Sequence, residues 1–440
     1  MPTTSLPATT NDGLALGFAV RTIYLALRPV QALLAAPTLL FLAALTAMLL
    51  RPPDVQFYEI DRVAFGLLVV VVVGRAFVLR EPLFETERAT WPMIGLTLLA
   101  LASTVGRPFD NETWCLLAAK YVVPFTLFHL TKFVFTREQQ FRQFEIFALL
   151  ALAYLSFTAI AFLVGARSLI YPRFILDESV GFHADRARGP LLQAVTNGLA
   201  LNLLGLMALH AYRRGSVGGV KMVVLLASLP IAILATMTRA VWLTFGGTVL
   251  ALIFLSPSRT LRRTCLGVLL AAGAGLALAL SSNEANEALS ERLQERGPVD
   301  YRQAVYAGSW EMFLQRPLTG WGFNQMPAEL PHHVSGYNEK QLYPHNTYLE
   351  LLVEHGVVGL ILYLWLMREL WWLRRGPVPP GERSGFLDAE FHRLWPVFLA
   401  VYWVNALVVV MNYQFVNGLL FTLAGMLAGQ RRRAEALRLC

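Results

Sequence analysis

The sequence has few charged residues and few cysteines for its length. Only 15% of its 440 residues are charged, 56% are hydrophobic, and the mean hydropathy is +0.51. A water-soluble domain of this size needs a more charged surface, so the composition excludes a soluble globular protein and indicates lipid as the solvent. The three cysteines, Cys115, Cys265 and Cys440, have no CxxC spacing, which argues against a disulfide framework or a zinc site.

Backbone hydrogen bonding restricts how such a chain can cross a bilayer. Unpaired backbone groups are costly in hydrocarbon, so only helices and closed barrels span it. Apolar runs such as 220–237 lack barrel alternation, so we predict an all-α polytopic integral membrane protein with about twelve transmembrane helices. The predicted spans are 28–50, 63–79, 91–106, 114–135, 144–166, 190–212, 219–237, 239–255, 264–281, 347–373, 394–411 and 413–429.

The spans divide the chain into four parts. We predict N-terminal transmembrane helices over 1–166 and central transmembrane helices with arginine-bearing outer connections over 167–281. A large outer loop follows over 282–346, and C-terminal transmembrane helices with a basic tail complete the chain over 347–440. The polar stretch 1–13 contains no basic residue, which argues against a cleaved signal peptide.

The positions of lysine and arginine predict the orientation. Basic residues near the ends of spans are retained in the cytoplasm, and alternate connections here are rich in them, so both termini are expected to be cytoplasmic. The outer segments 167–189 and 282–346 also carry several basic residues, against this rule. Because long loops cross the membrane largely regardless of charge, these residues form either a solvated surface or an anion site facing outward.

A histidine precedes one of the predicted helices. Thr347 and Glu350 have the spacing of a capping box, so a helix is predicted to begin near residue 347. His345 then lies just ahead of a helix N-terminus, where exposed amides suit an anion. Such a histidine is either structural or a base that can take a proton from a hydroxyl group near neutral pH.

Arg239 occupies a very short connection between two apolar spans. Burying a guanidinium near membrane depth costs at least about 2.5 kcal/mol, so a partner is implied. The side chain either contacts lipid phosphate at the interface or clamps a substrate phosphate with two parallel hydrogen bonds, which its planar geometry favours.

The large outer loop is predicted to be ordered. Helices are expected over 284–296, where Arg292 and Arg296 lie one turn apart, and over 301–314. The aromatic residues of the loop are expected to pack back on the membrane surface, and stacking on a sugar is the alternative.

A metal site is a less favoured interpretation of the histidines in the large outer loop than a site without metal. His332 and His333 could join His345 around a metal ion, but no carboxylate or cysteine lies at a characteristic ligand spacing. We therefore expect no metal ion and no other cofactor.

Several short motifs together resemble the O-antigen ligase-like superfamily, which includes O-antigen ligases, Wzy-type polysaccharide polymerases and some protein O-oligosaccharyltransferases. The resemblance covers roughly residues 180–373 and is greatest to O-antigen ligases. The motifs are Arg188-Gly189-Pro190 with Asn197, Thr238-Arg239-Ala240, Trp310 with the turn from Arg316 to Gly322, and His345-Asn346-Thr347-Tyr348-Leu349 with Gly356 and Gly359.

The resemblance implies an inverting, metal-independent glycosyltransferase in the bacterial inner membrane, with its active site in a periplasmic loop. An undecaprenyl-diphosphate-linked glycan would be moved onto lipid A-core or another glycan acceptor. Membrane lipids are the remaining expected partner, and no nucleic acid is expected.

The same resemblance assigns residue roles. The essential histidine of the family corresponds to His345, and one family arginine corresponds to Arg239. The second catalytic arginine is assigned to Arg302, in preference to Arg292 and Arg296. The expected substrate-binding residues are Arg188, Arg292, Arg296 and Asn346.

Other functions stay open at this point. Ligases and polymerases differ in acceptor, and the compact chain favours a ligase. A transferase using a carboxylate in its first outer loop would depend on Asp54, Glu59 or Asp61, whereas the absence of a DxD motif argues against a nucleotide-sugar enzyme. A transporter is the third class. Transporters place ionisable residues on discontinuous helices at the midplane, and the predicted spans here are nearly free of charge in their middles.

Overall fold

The computed structural model describes residues 36–51, 60–80, 86–181, 183–256, 258–280, 297–337, 341–379 and 385–439. Within these ranges the chain is helical and contains no β-strand. A described helix overlaps each predicted span, and five helices are long and apolar enough to cross a membrane. The predicted all-α membrane class is confirmed, whereas the described residues give five helices of spanning length and hydropathy rather than twelve.

The helices are numbered here in chain order. They are α1 (Pro37–Leu49), α2 (Ile60–Leu79), α3 (Thr90–Thr104), α4 (Asn111–Leu117), α5 (Val123–Val134), α6 (Glu138–Leu163), α7 (Ala194–Arg214), α8 (Val220–Ala235), α9 (Arg239–Leu255), α10 (Arg259–Leu280), α11 (Gly297–Gln315), α12 (Met326–Glu329), α13 (Thr347–Trp372), α14 (Ala389–Asn405) and α15 (Gln414–Leu439). A π-helical turn, Ala118–Val122, joins α4 to α5.

The helix α7 forms the centre of the bundle. Its most apolar window is 94% buried inside the protein, compared with 22% for the corresponding window of the peripheral helix α2. Small residues bring neighbouring helices close to it: Gly198 on α7 faces Val241 on α9, and Gly205 faces Leu229 on α8. Because lipid offers apolar side chains no advantage in burial, such close packing is what favours association of helices in a membrane.

The described parts of both predicted outer segments lie at one end of the bundle, which we call the loop end. It comprises the described residues of 164–193, the loop helix α11 and the described residues of 316–346. The opposite end carries ion pairs that fix helices to one another, including Arg213 with Asp388 and Arg214 with Glu138. Charged groups therefore gather at both ends of an apolar bundle.

One boundary differs clearly from the sequence predictions, and one predicted helix is not described. The helix α15 continues about ten residues beyond the predicted end at 429, with Arg431 bonded to Glu435 at 2.8 Å one turn later. The predicted loop helix over 301–314 is confirmed as α11. The predicted helix over 284–296 lies outside the described residues.

Candidate functional site

His345 lies at the junction between the large loop and α13. Its backbone has a positive φ of 47°, in the left-handed region that histidine adopts more often than most residues with a Cβ. The next residue, Asn346, is the N-cap, and its side-chain oxygen accepts hydrogen bonds from the amides of Tyr348 (3.0 Å) and Leu349 (3.1 Å). The turn therefore sets the direction of the imidazole relative to the first turn of α13.

The helix start predicted near residue 347 is confirmed, but its cap is not the predicted one. Asn346, not Thr347, caps α13, and Glu350 pairs with Lys120 rather than with the backbone of the cap. Asn346 thus uses its oxygen to hold the helix end, and its role as a substrate contact stays a prediction. An asparagine caps as well as a threonine, so the spacing alone did not decide between them.

Arg302 and His183 lie close to His345. Arg302 is on the first turns of α11, and its neighbour Tyr301 exchanges hydrogen bonds with the backbone of Tyr343 at 3.4 and 3.3 Å. The rings of Tyr301 and His345 are 6.1 Å apart. Burial, and then the charges of Arg302 and His183, lower the pKa of His345 to about 4. The imidazole is therefore neutral at neutral pH and can accept a proton.

Hydrogen bonds join the start of α13 to the connection between α14 and α15. The amide of Thr347 donates to the carbonyl of Ala406 at 2.8 Å, and its hydroxyl donates to that of Val409 at 2.9 Å. The same hydroxyl oxygen accepts from the amide of Met411 at 3.0 Å. These bonds fix Thr347, two residues after His345. The hydrogen bonds with Tyr301 fix Tyr343, two residues before it.

Arg239 is the first residue of α9 at the loop end. The three-residue connection before it is tight, with Met237 at a φ of 46°. The carbonyl of Ala235 accepts a hydrogen bond of 3.1 Å from the amide of Ala187, in the same segment as His183. The structure thus brings the segments of Arg239 and His345 to one end of the bundle and links them through the segment 183–187.

An apolar groove begins one residue after Arg239. It has a volume of about 490 Å³ and lies between α9 and α14, from Ala240 to Ala251, with Trp371 of α13 at its far end. The twelve helical residues from Ala240 to Ala251 span roughly 16 Å. The groove is mostly apolar, and Arg239 directly precedes its first lining residue, Ala240, in the chain.

Arg188 makes structural contacts, and its predicted substrate contact stays a prediction. Its guanidinium is 1% exposed and donates to the backbone carbonyls of Ile175, Asp177 and Val180. It thereby folds the outer segment 167–189 onto the bundle. Arg292 and Arg296 lie outside the described residues, so their assignment stays a prediction.

A buried ionic network was not predicted. Lys120, on the π-helical turn, forms ion pairs with Glu350 and Glu354 of α13, the latter at 3.8 Å. The neighbouring His355 lies 3.4 Å from the hydroxyl of Tyr121. The network lies on two predicted spans, 114–135 and 347–373, in the third of each span that is nearest the loop end. The ion pairs were not predicted because residues on different helices cannot be paired from sequence spacing alone.

The helix α13 is interrupted beside this network. Gly356 has φ 63° and ψ −164°, so the backbone leaves the helical conformation there. The turn 316–322 packs into the break: the amides of Trp321 and Gly322 donate to the carbonyls of Val353 and Glu354, each at 2.8 Å. The freed backbone groups are thereby satisfied, as hydrocarbon surroundings require. The resemblance motifs around residues 316–322 and 356 thus meet in space.

Removing the lysine of this network should destabilise the protein. In Lys120→Met the two carboxylates stay buried without their cation, and breaking such a pair costs about 3–5 kcal/mol. The expected result is a clear fall in Tm of the detergent-purified protein, partly restored by adding Glu354→Gln. Lys221→Met, an exposed lysine on α8, is the control and should leave Tm unchanged. Equal Tm values for Lys120→Met and wild type would contradict the ionic network.

The loop histidines do not form a metal cluster in the described part of the chain. His333 lies 3.3 Å from Glu311 and packs edge-on against Trp321, and no group of three potential ligands occurs among the described residues. His345 faces Tyr301, Arg302 and His183 instead.

The apolar helices and the clustered cations define a helical membrane protein with a histidine-containing site at its loop end. Residues 222–364, about a third of the chain, match the family model described as O-Antigen ligase. The match includes Arg239, Arg302 and His345 and confirms the resemblance to the O-antigen ligase-like superfamily, whose ligases and polymerases are enzymes acting on glycan and lipid substrates. A search of curated proteins finds no match to the chain.

Proposed function

We propose that this protein is a glycosyltransferase of the O-antigen ligase type in the bacterial inner membrane. It moves a glycan from undecaprenyl diphosphate to a lipid A-core sugar, with its site facing the periplasm and both termini in the cytoplasm. The observation that carries this proposal is the position of His345 beside Tyr301 and Arg302, within the region that matches the family.

The donor is held through its diphosphate and its lipid. In this proposal Arg239 binds the diphosphate, and part of the polyprenyl chain lies along the apolar groove that begins at the next residue, Ala240. Arg302 lies near His345, where charge develops as the diphosphate departs. A guanidinium binds phosphate oxygens in pairs, so the two arginines supply the positive charge that stabilises the leaving group.

The chemistry is a single displacement. The acceptor hydroxyl attacks the anomeric carbon from the face opposite the diphosphate, and its proton passes to His345. The bond between the anomeric carbon and the diphosphate oxygen breaks, and undecaprenyl diphosphate leaves with that electron pair. The configuration at the anomeric carbon inverts. The rate enhancement comes from the positioning of both substrates and from the positive charge that is preorganised around the leaving group.

The test of this function uses purified protein in nanodiscs. Radiolabelled lipid-linked glycan is supplied with core lipid from the source bacterium lacking this gene. The proposal expects one undecaprenyl diphosphate released for each glycan transferred to core lipid. Transfer only to a second lipid-linked glycan identifies a polymerase, and transfer only to a protein identifies a protein O-oligosaccharyltransferase. Absence of transfer to any acceptor contradicts the proposal.

Transport is the second candidate, because α13 is broken and ionisable side chains lie buried beside the break. Transporters use such discontinuous helices to bind substrate. Here the break is filled by the turn 316–322, which leaves its carbonyls bonded to protein. Counterflow of a lipid-linked glycan in proteoliposomes, unaffected by His345→Asn, would favour transport over transfer.

Conservative replacement of Arg239 should reduce transfer. In Arg239→Lys a point charge replaces the planar fork, so the diphosphate loses one of its paired contacts. We expect transfer to fall by roughly 10²-fold, measured with purified protein at saturating acceptor. Arg262→Lys, an exposed arginine at the opposite end, is the matched control and should keep full activity. Full activity in Arg239→Lys would show that Arg239 only anchors the helix at the interface.

A further inference from the structure

A second cavity lies at the loop end, apart from the apolar groove. It has a volume of about 300 Å³, and polar side chains line its rim: Arg51, Glu112, Asn412 and Gln414. Its apolar part includes Met48 and Phe415. The connection 406–413 touches both openings, because Leu407 and Val408 line the groove whereas Asn412 and Tyr413 line this cavity.

Three chain segments connect this cavity to His345. Met411, next to Asn412, donates its amide to the hydroxyl of Thr347. Glu112 is close enough to Tyr343 that its charge, after burial, raises the pKa of that phenol. The segment that carries His183 continues into Pro190 and Leu192 of the cavity wall. The cavity therefore adjoins the residues on both sides of His345.

The charges of the cavity suit a neutral, hydroxyl-rich molecule. Arg51 is already neutralised by Asp61 at 3.5 Å and donates to Gln414 at 3.5 Å. The side chains of Glu112 and Asn412 make no hydrogen bond to other described residues, so a carboxylate and an amide are free to bind a ligand. Glu112 opposes a diphosphate in this position, whereas carboxylate and amide groups bind sugar hydroxyls well.

We propose that this cavity binds the sugar of the acceptor and presents its hydroxyl to His345. The proposal rests on the transfer reaction proposed above and places the two substrates on opposite sides of one connection. The donor lies along the apolar groove at Arg239, and the acceptor sugar lies against Glu112 and Asn412. The donor and the acceptor thus approach His345 from opposite sides.

The natural thiol of Cys115 is a probe of this cavity, because it lines the wall and is partly exposed. Alkylation of Cys115 by N-ethylmaleimide is followed by peptide mass spectrometry, without any substitution. Core lipid at ten times its half-saturating concentration should slow alkylation about tenfold, by occupancy alone. Lipid-linked donor alone should leave the rate unchanged. An unchanged rate with core lipid, or equal protection by donor alone, overturns the assignment.

Kinetics of two variants give an independent measurement. Asn412→Ala and Glu112→Gln should each raise KM for the acceptor about tenfold while the KM for donor stays constant, because one hydrogen bond to the sugar is lost. Gln139→Ala, an exposed amide at the opposite end, is the control. Unchanged acceptor KM in both variants overturns the cavity assignment.

The experiment separates this inference from the function on which it rests. If wild-type protein transfers glycan normally but Cys115 and the variants are unaffected by acceptor, only the cavity assignment fails. If wild-type protein transfers no glycan, the proposed function fails.

Discussion

Replacing His345 with asparagine should reduce glycan transfer by about 10²–10⁴-fold, the usual cost of removing a positioned base. Asparagine is the sharpest substitution because it tolerates the positive φ of 47° at this position and so keeps the turn. His345→Ala should lose transfer as well, with an added strain of about 1–2 kcal/mol in the turn. The measurement is glycan transfer by membranes containing equal amounts of each protein.

The pH dependence gives a further check on the same residue. Because the pKa of His345 is lowered to about 4, its imidazole stays neutral as pH falls from 8 towards 5. The pH profile of kcat/KM reports pKa values of the free enzyme. The pKa of its acid limb should therefore lie below the ordinary histidine pKa of about 6.5. An acid limb at or above that value, or near-normal transfer by His345→Asn, would contradict the assignment of His345 as the base.

Substitution of Gly356 by alanine should prevent stable folding. Its conformation, φ 63° and ψ −164°, is essentially restricted to glycine, and a Cβ there would overlap the carbonyl groups of Pro317 and Leu318. The conformational strain alone costs about 1–3 kcal/mol, and displacing the turn 316–322 adds the loss of its hydrogen bonds to α13. We expect little monodisperse protein from Gly356→Ala in size-exclusion chromatography.

The matched control is Gly246→Ala on α9, where nothing lies within 4 Å of the added Cβ. Alanine favours a helix over glycine by up to about 1 kcal/mol, so this variant should be as stable as wild type or more so. Normal yield and Tm for Gly356→Ala would mean that the break in α13 is not a feature of the folded protein.

Much of the fold follows from apolar runs and local signals. Each predicted span overlaps a helix, and the start of α13 was placed correctly because the sequence around residue 347 marks a helix N-terminus. The region of resemblance also predicted that His345 and Arg239 belong to one site, and the structure brings their segments to the same end of the bundle. Their catalytic roles stay predictions.

Other features depend on contacts between distant segments, which periodicity does not encode. Arg188 was predicted to bind substrate, and the sequence did not reveal that three backbone carbonyls of the preceding loop accept hydrogen bonds from it. Lys120 lies in an apolar stretch, and its partners Glu350 and Glu354 come 230 and 234 residues later. Gly356 was named only as part of a motif, and its backbone conformation in the structure reveals the break in α13.

The central claim is that His345 activates the acceptor while the arginines hold the donor, and a single-turnover experiment separates these two roles. Purified His345→Asn is loaded with labelled lipid-linked glycan, its Kd for donor is measured, and core lipid is then added. We predict a Kd equal to that of wild type and transfer slowed by at least about 10²-fold. Transfer at the wild-type rate, or donor binding weakened in proportion to the lost transfer, would contradict the account.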